Sequence, residues 1–227
     1  MAASVIVALV VLLRVLAKSI VKSHVNNLLH CNFGVEVGRV TEICIDGGKC
    51  VNNISSPLHW CVGKCVNNNI AIISKSGKGY EVAIKVLRYL LREGYKLLII
   101  SKYCDRIVND IGVRGNYISC ANMSKFSEYA KMLMSDSEKT AVFADLRDEA
   151  IITDEVVRLT KIAGYGESAL VLLTNSDSPS LIHTVISDAG LIIEELDDSS
   201  AKVKLIVKGR TPKEIGTGVL AKALILR

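Results

Sequence analysis

The sequence predicts an α/β domain of three layers, with a mostly parallel central sheet, a C-terminal β-hairpin and an N-terminal apolar helix. Three observations carry that expectation. Short apolar runs bounded by polar residues recur at 70–73, 96–101, 140–144, 169–174 and 191–196, as expected of strands buried on both faces. Between the first two runs, Val82, Ala83, Val86, Leu87, Leu90 and Leu91 repeat at helical spacing over 80–93, and Gly94 follows as a stop. The connections are short, so this strand–helix–strand unit implies a right-handed crossover in a parallel sheet.

The elements follow in order. Residues 2–21 are apolar except for Ser4, Arg14, Lys18 and Ser19, and a helix of that length rises ~30 Å, the thickness of a bilayer core. Lys18, Lys22 and His24 at its end put that flank on the cytoplasmic face by the positive-inside rule. Arg14 is costly in lipid unless it snorkels, so a membrane anchor and a helix packed on the domain or a partner stand about equal. A cleaved signal peptide fits poorly, with no basic region before the apolar run and no small-x-small site after it. Residues 26–33 read as a linker. The chain therefore divides into a helix with its linker (1–30) and one α/β domain (31–227). Residues 35–45 and 50–54 form a hairpin about Asp46-Gly47-Gly48-Lys49. Residues 55–69, with Pro57, Trp60 and three asparagines, read as a loop. A short strand at 117–119 and helices at 125–134, 153–163 and 180–187 continue the alternation. Segments 202–208 and 218–226 close it as an antiparallel hairpin.

Composition narrows the function classes. Of 227 residues half are apolar, 22% are charged and only 3 are prolines, which excludes wholesale disorder and collagen-like chains. The net charge of +5, from 28 Lys+Arg against 23 Asp+Glu, is mild. It permits an anionic partner without signalling nucleic acid, which usually meets a concentrated basic stripe. Aromatics at 5% argue against a base-stacking platform. Of 7 cysteines, Cys44, Cys50, Cys61 and Cys65 fall within 22 residues, close to His59. Buried free thiols come first as a reading, one or two structural disulfides second, and zinc third, because C-x5-C with C-x3-C is no standard knuckle. Cys31, Cys104 and Cys120 sit in mixed contexts. His24 and His30 read as solvated and His183 as structural.

The chemistry concentrates at Ser74-Lys75-Ser76-Gly77-Lys78-Gly79, between a buried strand and a helix. Glycines let backbone N–H groups turn toward a phosphate, the helix N-terminus adds partial positive charge, and a lysine neutralises the terminal phosphates. The match to G-x-x-x-x-G-K-[ST] is partial. Gly77-Lys78 supplies the G-K pair, the first glycine position falls on Ile72, and Gly79 stands where a metal-binding hydroxyl belongs. Taken alone, the segment reads first as an ordinary polar βα turn, and the downstream order decides. Asp145 ends the strand 140–144, where a carboxylate in phosphate-loop enzymes holds Mg²⁺ through water. Strand ends also carry Asp as a turn residue. A working site requires Lys78 at the carboxyl edge of the sheet and the Asp145 strand beside the loop's strand.

In this order the elements resemble the RecA/RadA/KaiC-like ATPase domain. Asp188-Ala189-Gly190-Leu191-Ile192-Ile193 resembles the family's late "A-D-x-hydrophobic" strand, and Lys208-Gly209-Arg210 its K-x-R, which reaches the nucleotide of a neighbouring subunit. The resemblance covers roughly 35–227. It implies ATP or ADP bound by residues 74–79, Mg²⁺ held through Asp145, and Lys208 and Arg210 acting across a homo-oligomer interface. The family's carboxylate after the second strand is missing: Lys102-Tyr103-Cys104 stands there, and Asp105 is the nearest acid. Loss of that base and of the metal-holding hydroxyl should leave little hydrolysis, since general-base help alone contributes ~10²–10⁴-fold. The expected function is a nucleotide-binding domain with weak or lost ATPase activity, serving as a regulatory or scaffolding partner. The alternatives are an active divergent ATPase in recombination, repair or motility, and a membrane-tethered interaction domain that takes no nucleotide.

Overall fold

The computed structural model describes residues 34–45, 49–60, 69–75, 77–113, 118–121, 139–147, 168–175, 191–195, 201–205 and 220–224. The N-terminal apolar segment, the linker at 26–33, the helices expected at 125–134, 153–163 and 180–187, Ser76, Lys208 and Arg210 lie outside these residues. Among the described residues no helix is long and apolar enough to cross a membrane.

Among the described residues ten strands form one sheet: β1 (Val35–Ile45), β2 (Lys49–Trp60), β3 (Asn69–Ile73), β4 (Lys96–Ile100), β5 (Ile118–Ala121), β6 (Thr140–Asp145), β7 (Ala169–Thr174), β8 (Leu191–Glu195), β9 (Ala201–Leu205) and β10 (Leu220–Leu224). Their spatial order is β2-β1-β10-β9-β8-β3-β7-β6-β4-β5. The six strands from β8 to β5 run parallel, as the short apolar runs predict. Both faces of this half are covered. Ile70, Ile72, Leu97, Ile99, Phe143 and Val171 pack in the core with the helix residues. The alternate residues Ile73, Ile100, Val142, Leu170, Leu172 and Ile192 are just as buried on the other face. The sheet is thus the middle of three layers.

Helix α1 (Lys78–Arg92) turns Val82, Ala83, Val86, Leu87 and Leu90 into the core. Leu87 and Leu90 are wholly buried, each contributing about 1.5–3 kcal/mol. The helix ends where expected: Gly94 N–H donates to the Leu91 carbonyl and Tyr95 N–H to that of Leu90, the paired bonds of a Schellman close. A second helix, α2 (Cys104–Ile111), is not evident from periodicity. Eight residues give little more than two turns, and only Cys104, Ile107 and Ile111 are buried. Cys104 is disulfide-bonded to Cys120 on β5, so α2 is tied covalently to the edge strand.

The antiparallel half brings one correction and one extension, and the parallel half a second correction. The segment expected as a loop from residue 55 continues β2 as far as Trp60, with Pro57 opposite Arg39. Proline is tolerated because β2 is the edge of the sheet, where a strand N–H has no ladder to complete. Cys44 and Cys50 are register partners across the hairpin. The closing hairpin is β9–β10. It also joins the two halves, β9 pairing with β8 and β10 with β1, which nothing in the local sequence indicates. The second correction concerns the parallel half: β7 separates β6 from β3, so the adjacency expected of a working metal-assisted site is not met.

Trp60 pins the N-terminal hairpin to α1. It is fully buried, and its ring meets Tyr89 edge-on with centroids 6.2 Å apart. It is also the only tryptophan of the chain, so its emission reports this contact alone. We expect a blue-shifted emission that moves to the solvated position on urea unfolding. Trp60→Ala should lower stability by about 3–5 kcal/mol in urea titration. A far smaller loss would mean that the hairpin does not dock there.

Candidate functional site

The site lies at the carboxyl ends of β3, β4, β6 and β7. Parallel register sets it. Ile73 pairs with Thr174 and Asp145 with Leu173, so the ends of β3, β7 and β6 stop nearly level. The bonds Ser74 N–H to Thr174 O (2.7 Å) and Leu146 N–H to Leu173 O (2.8 Å) extend that edge one residue further. The chain leaves β3 for β4, passing over β7 and β6, while β8 sits on the opposite side of β3. That reversal opens a crevice, the usual ligand position of parallel α/β sheets.

The loop after β3 is held from beneath by a residue the sequence reading missed. Glu195, at the end of β8, is fully buried. Its Oε2 accepts from the Ser74 hydroxyl and from the Lys75 N–H, both at 2.8 Å. Ser74 Oγ in turn accepts from Gly77 N–H at 3.2 Å. Two amides of the loop are thereby spent inside the protein. Gly77, the N-cap of α1, sits at φ 95°, a left-handed conformation that costs other residues about 1–2 kcal/mol. Gly79 answers a different demand. A Cβ there would lie 2.6 Å from Ser74 Cβ and 2.9 Å from Ile72 Cγ2. The position where a metal-binding hydroxyl is sought has no room for a side chain on this backbone.

A cleft of about 440 Å³ opens above the loop. Ser74, Lys75 and Gly77 form its floor and Tyr80 of α1 one wall. Tyr103, Arg106 and Ile107 contribute from α2 and the turn before it, Arg147 from beyond β6, and Asn175 from beyond β7. Among the described residues, three cationic side chains line it and no carboxylate does. The lysine facing the cleft is Lys75. Lys78, the residue expected to meet phosphate, is half-buried at the first position of α1 and is not part of the lining.

Asp145 is in place at the end of β6, its side chain almost wholly buried, but it is already paired. Arg147 Nε donates to Oδ1 at 2.9 Å and Nη2 to Oδ2 at 2.8 Å, a bidentate fork that engages both oxygens. The backbone N–H of Arg147 also reaches Oδ1, at 3.3 Å. The same guanidinium lies 4.6 Å from the centre of the Tyr80 ring. Arg106 approaches that ring at 5.8 Å, so Tyr80 carries two cation–π contacts. The Tyr80 hydroxyl donates to Asp110 Oδ2 at 2.5 Å. Burial first, then that hydrogen bond and the Asp110 charge, push the hydroxyl well above the usual phenol range, against the opposing pull of Arg106 and Arg147.

After β4, where the resembled family would place a carboxylate, stand Lys102, whose Nζ lies 4.9 Å over the Tyr103 ring, and the disulfide-bonded Cys104. Asp105 is exposed in the first turn of α2 and does not line the cleft. Among the described residues no group of three or more His, Cys, Asp or Glu side chains is placed to hold a metal; Cys61 and Cys65 lie outside them. Of the residues sequence reading missed, two carried a signal: Arg147, two positions after a strand-ending aspartate, and Glu195, an acid closing a buried run.

Sheet and cleft together define a three-layer α/β domain whose candidate site lies at the carboxyl edge of its parallel strands. No protein-family model matches the chain, and no curated protein sequence does. Among solved structures, the cytoplasmic domain of EssC superposes with a TM-score of 0.54 at 13% identity, over 89% of this chain. This chain spans 44% of the length of that one, and the likeness is one of fold. The flagellar accessory protein FlaH from Methanocaldococcus jannaschii overlaps 63% of this chain and 78% of its own, at a TM-score of 0.39 and 9% identity.

Two outcomes follow from this geometry. Glu195→Gln, which keeps the shape but replaces one oxygen by an amide donor, should lower stability by about 1–3 kcal/mol in denaturant titration, the cost of disturbing buried hydrogen bonds. An unchanged midpoint would show that the loop is held otherwise. In an ultraviolet pH titration, the wild type should contain a tyrosine that ionises far later than a free phenol, and Tyr80→Phe should remove that late step. The raised value means that the Tyr80 contribution to stability is complete below the unfolded phenol value, ~10, and is lost only as pH climbs beyond it. Superimposable titrations of the two proteins would refute the assignment.

Proposed function

We propose that residues 31–227 form one RecA-like domain that binds a nucleotide at residues 74–79 with little or no ATP hydrolysis, and that it serves as a regulatory or scaffolding partner. The observation that carries this reading is the cleft itself: among the described residues, Ser74, Lys75 and Gly77 of the loop share it with Arg106 and Arg147 and with no acid. Phosphates are the ligands such a fork-and-lysine set recognises best. Tyr103, 43% exposed at the rim, offers ring surface to a base.

The case for weak turnover rests on three places. Gly79 cannot carry a hydroxyl on this backbone. Asp145 is engaged by Arg147. No carboxylate follows β4 until Asp105, which does not line the cleft. Lys78 and Ser76 belong to the same nucleotide loop, Asp145 anchors Arg147 in place of a metal, and Lys208 and Arg210 act across a homo-oligomer interface. Residues 1–30 form the separate apolar helix and linker that attach the domain to a membrane or a partner.

The test is one titration read two ways. ATP or ADP should raise the thermal midpoint, a ligand at 100 times its Kd adding about 2.7 kcal/mol, and Lys75→Ala should weaken the effect. Phosphate release should stay at background. Brisk Mg²⁺-dependent hydrolysis abolished by Lys78→Ala would instead make the chain an active ATPase. No shift with any nucleotide would leave an interaction domain.

A further inference from the structure

We propose that the cleft takes a polyphosphate chain without a divalent cation, the guanidinium groups of Arg147 and Arg106 supplying the charge that a metal supplies elsewhere. The inference rests on the reading of this cleft as a phosphate site, and goes beyond it by naming how the charge is met.

Four observations converge. First, the hydroxyl that would help seat a metal is sterically barred, since a Cβ on Gly79 would come within 2.6 Å of Ser74. Second, the strand-end carboxylate already has a cation: Arg147 binds both oxygens of Asp145 in a fork. A divalent ion would have to displace a bidentate pair whose acid is 2% exposed, and breaking a buried pair from one side leaves the other charge uncompensated. Third, the backbone cradle is partly spent, with Lys75 N–H on Glu195 and Gly77 N–H on Ser74. Neutralising a phosphate chain therefore falls to side chains. Fourth, those side chains are present. Arg147 and Arg106 both line the cleft, with 27% and 75% of their side chains exposed, Arg106 lying 3.7 Å from Asp110 through Nε, and Lys75 completes the set. Tyr80, held by Asp110, lies against both guanidinium groups and sets their positions. Arginine suits this work because its planar fork matches phosphate oxygens and it stays charged at every physiological pH.

The expected signature is an inverted metal dependence. Calorimetric titration of the full chain with ATP, and separately with inorganic tripolyphosphate, is run in EDTA and in excess Mg²⁺. Binding in EDTA should be at least as tight as with Mg²⁺, because chelated phosphates carry less charge for the arginines to meet. The double variant Asp145→Asn/Arg147→Gln removes the fork without leaving a buried charge alone, and should weaken binding in EDTA by about tenfold or more. Should that variant fail to fold, Arg106→Gln at an exposed position carries the same expectation. Binding that needs Mg²⁺ overturns the inference and leaves the nucleotide reading standing. Tripolyphosphate binding in EDTA without nucleotide binding sustains the inference and ends the nucleotide reading. Binding of neither ligand in either buffer ends both. Binding in EDTA that is indifferent to the folded variants places the anion elsewhere and refutes the inference.

Discussion

A single carboxylate, Glu195, organises the edge of the sheet where the candidate site lies. It has no contact with solvent, and a carboxyl group so placed is tolerable only with its oxygens hydrogen-bonded. Ser74 and Lys75 supply two of them from a loop 120 residues away in sequence. Ser74 passes the constraint on to Gly77, the residue that starts α1. The bond that satisfies a buried acid therefore also sets the loop's shape, the first turn of the helix, and the direction in which Tyr80 leaves it.

The second constraint is the strand order. With β7 between β3 and β6, Asp145 stands two strand spacings from the loop's strand, roughly 10 Å. Asp145 reaches the cleft by way of Arg147, which binds it and lies against Tyr80. A carboxylate position familiar from metal-dependent enzymes thus becomes, in this chain, the anchor of a cation. The site's chemistry is shifted from acid toward base: Asp145, Asp110 and Glu195 act as supports through their hydrogen bonds, while Lys75, Arg106 and Arg147 line the opening.

Much of the architecture was legible because it is local. A strand buried on both faces must be a continuous apolar run, and a helix covering it must repeat its apolar residues every three to four positions. That is why β3, α1, β4, β6, β7 and β8 could be placed from residue pattern, and why α2, with three buried residues in eight, could not. Pro57 misled the reading of β2, since its missing N–H breaks a ladder only where a neighbour strand waits on that side. Whether a strand is an edge is a property of the sheet, not of the strand.

The same division holds at the site. The sequence alone determined that a lysine- and glycine-bearing turn joins a buried strand to a helix, that Asp145 closes another strand, and that the hydroxyl and base positions of the resembled family are filled by Gly79 and by Lys102-Tyr103-Cys104. Each is a fact about neighbours along the chain. Only the tertiary structure decided that Lys75 rather than Lys78 lines the cleft, that Glu195 takes the loop's amide, and that Arg106 and Arg147 converge on Tyr80. Those are contacts between residues tens to more than a hundred positions apart. They depend on which strands are neighbours and how their ends align, and backbone pairing sets that only when the whole sheet has formed.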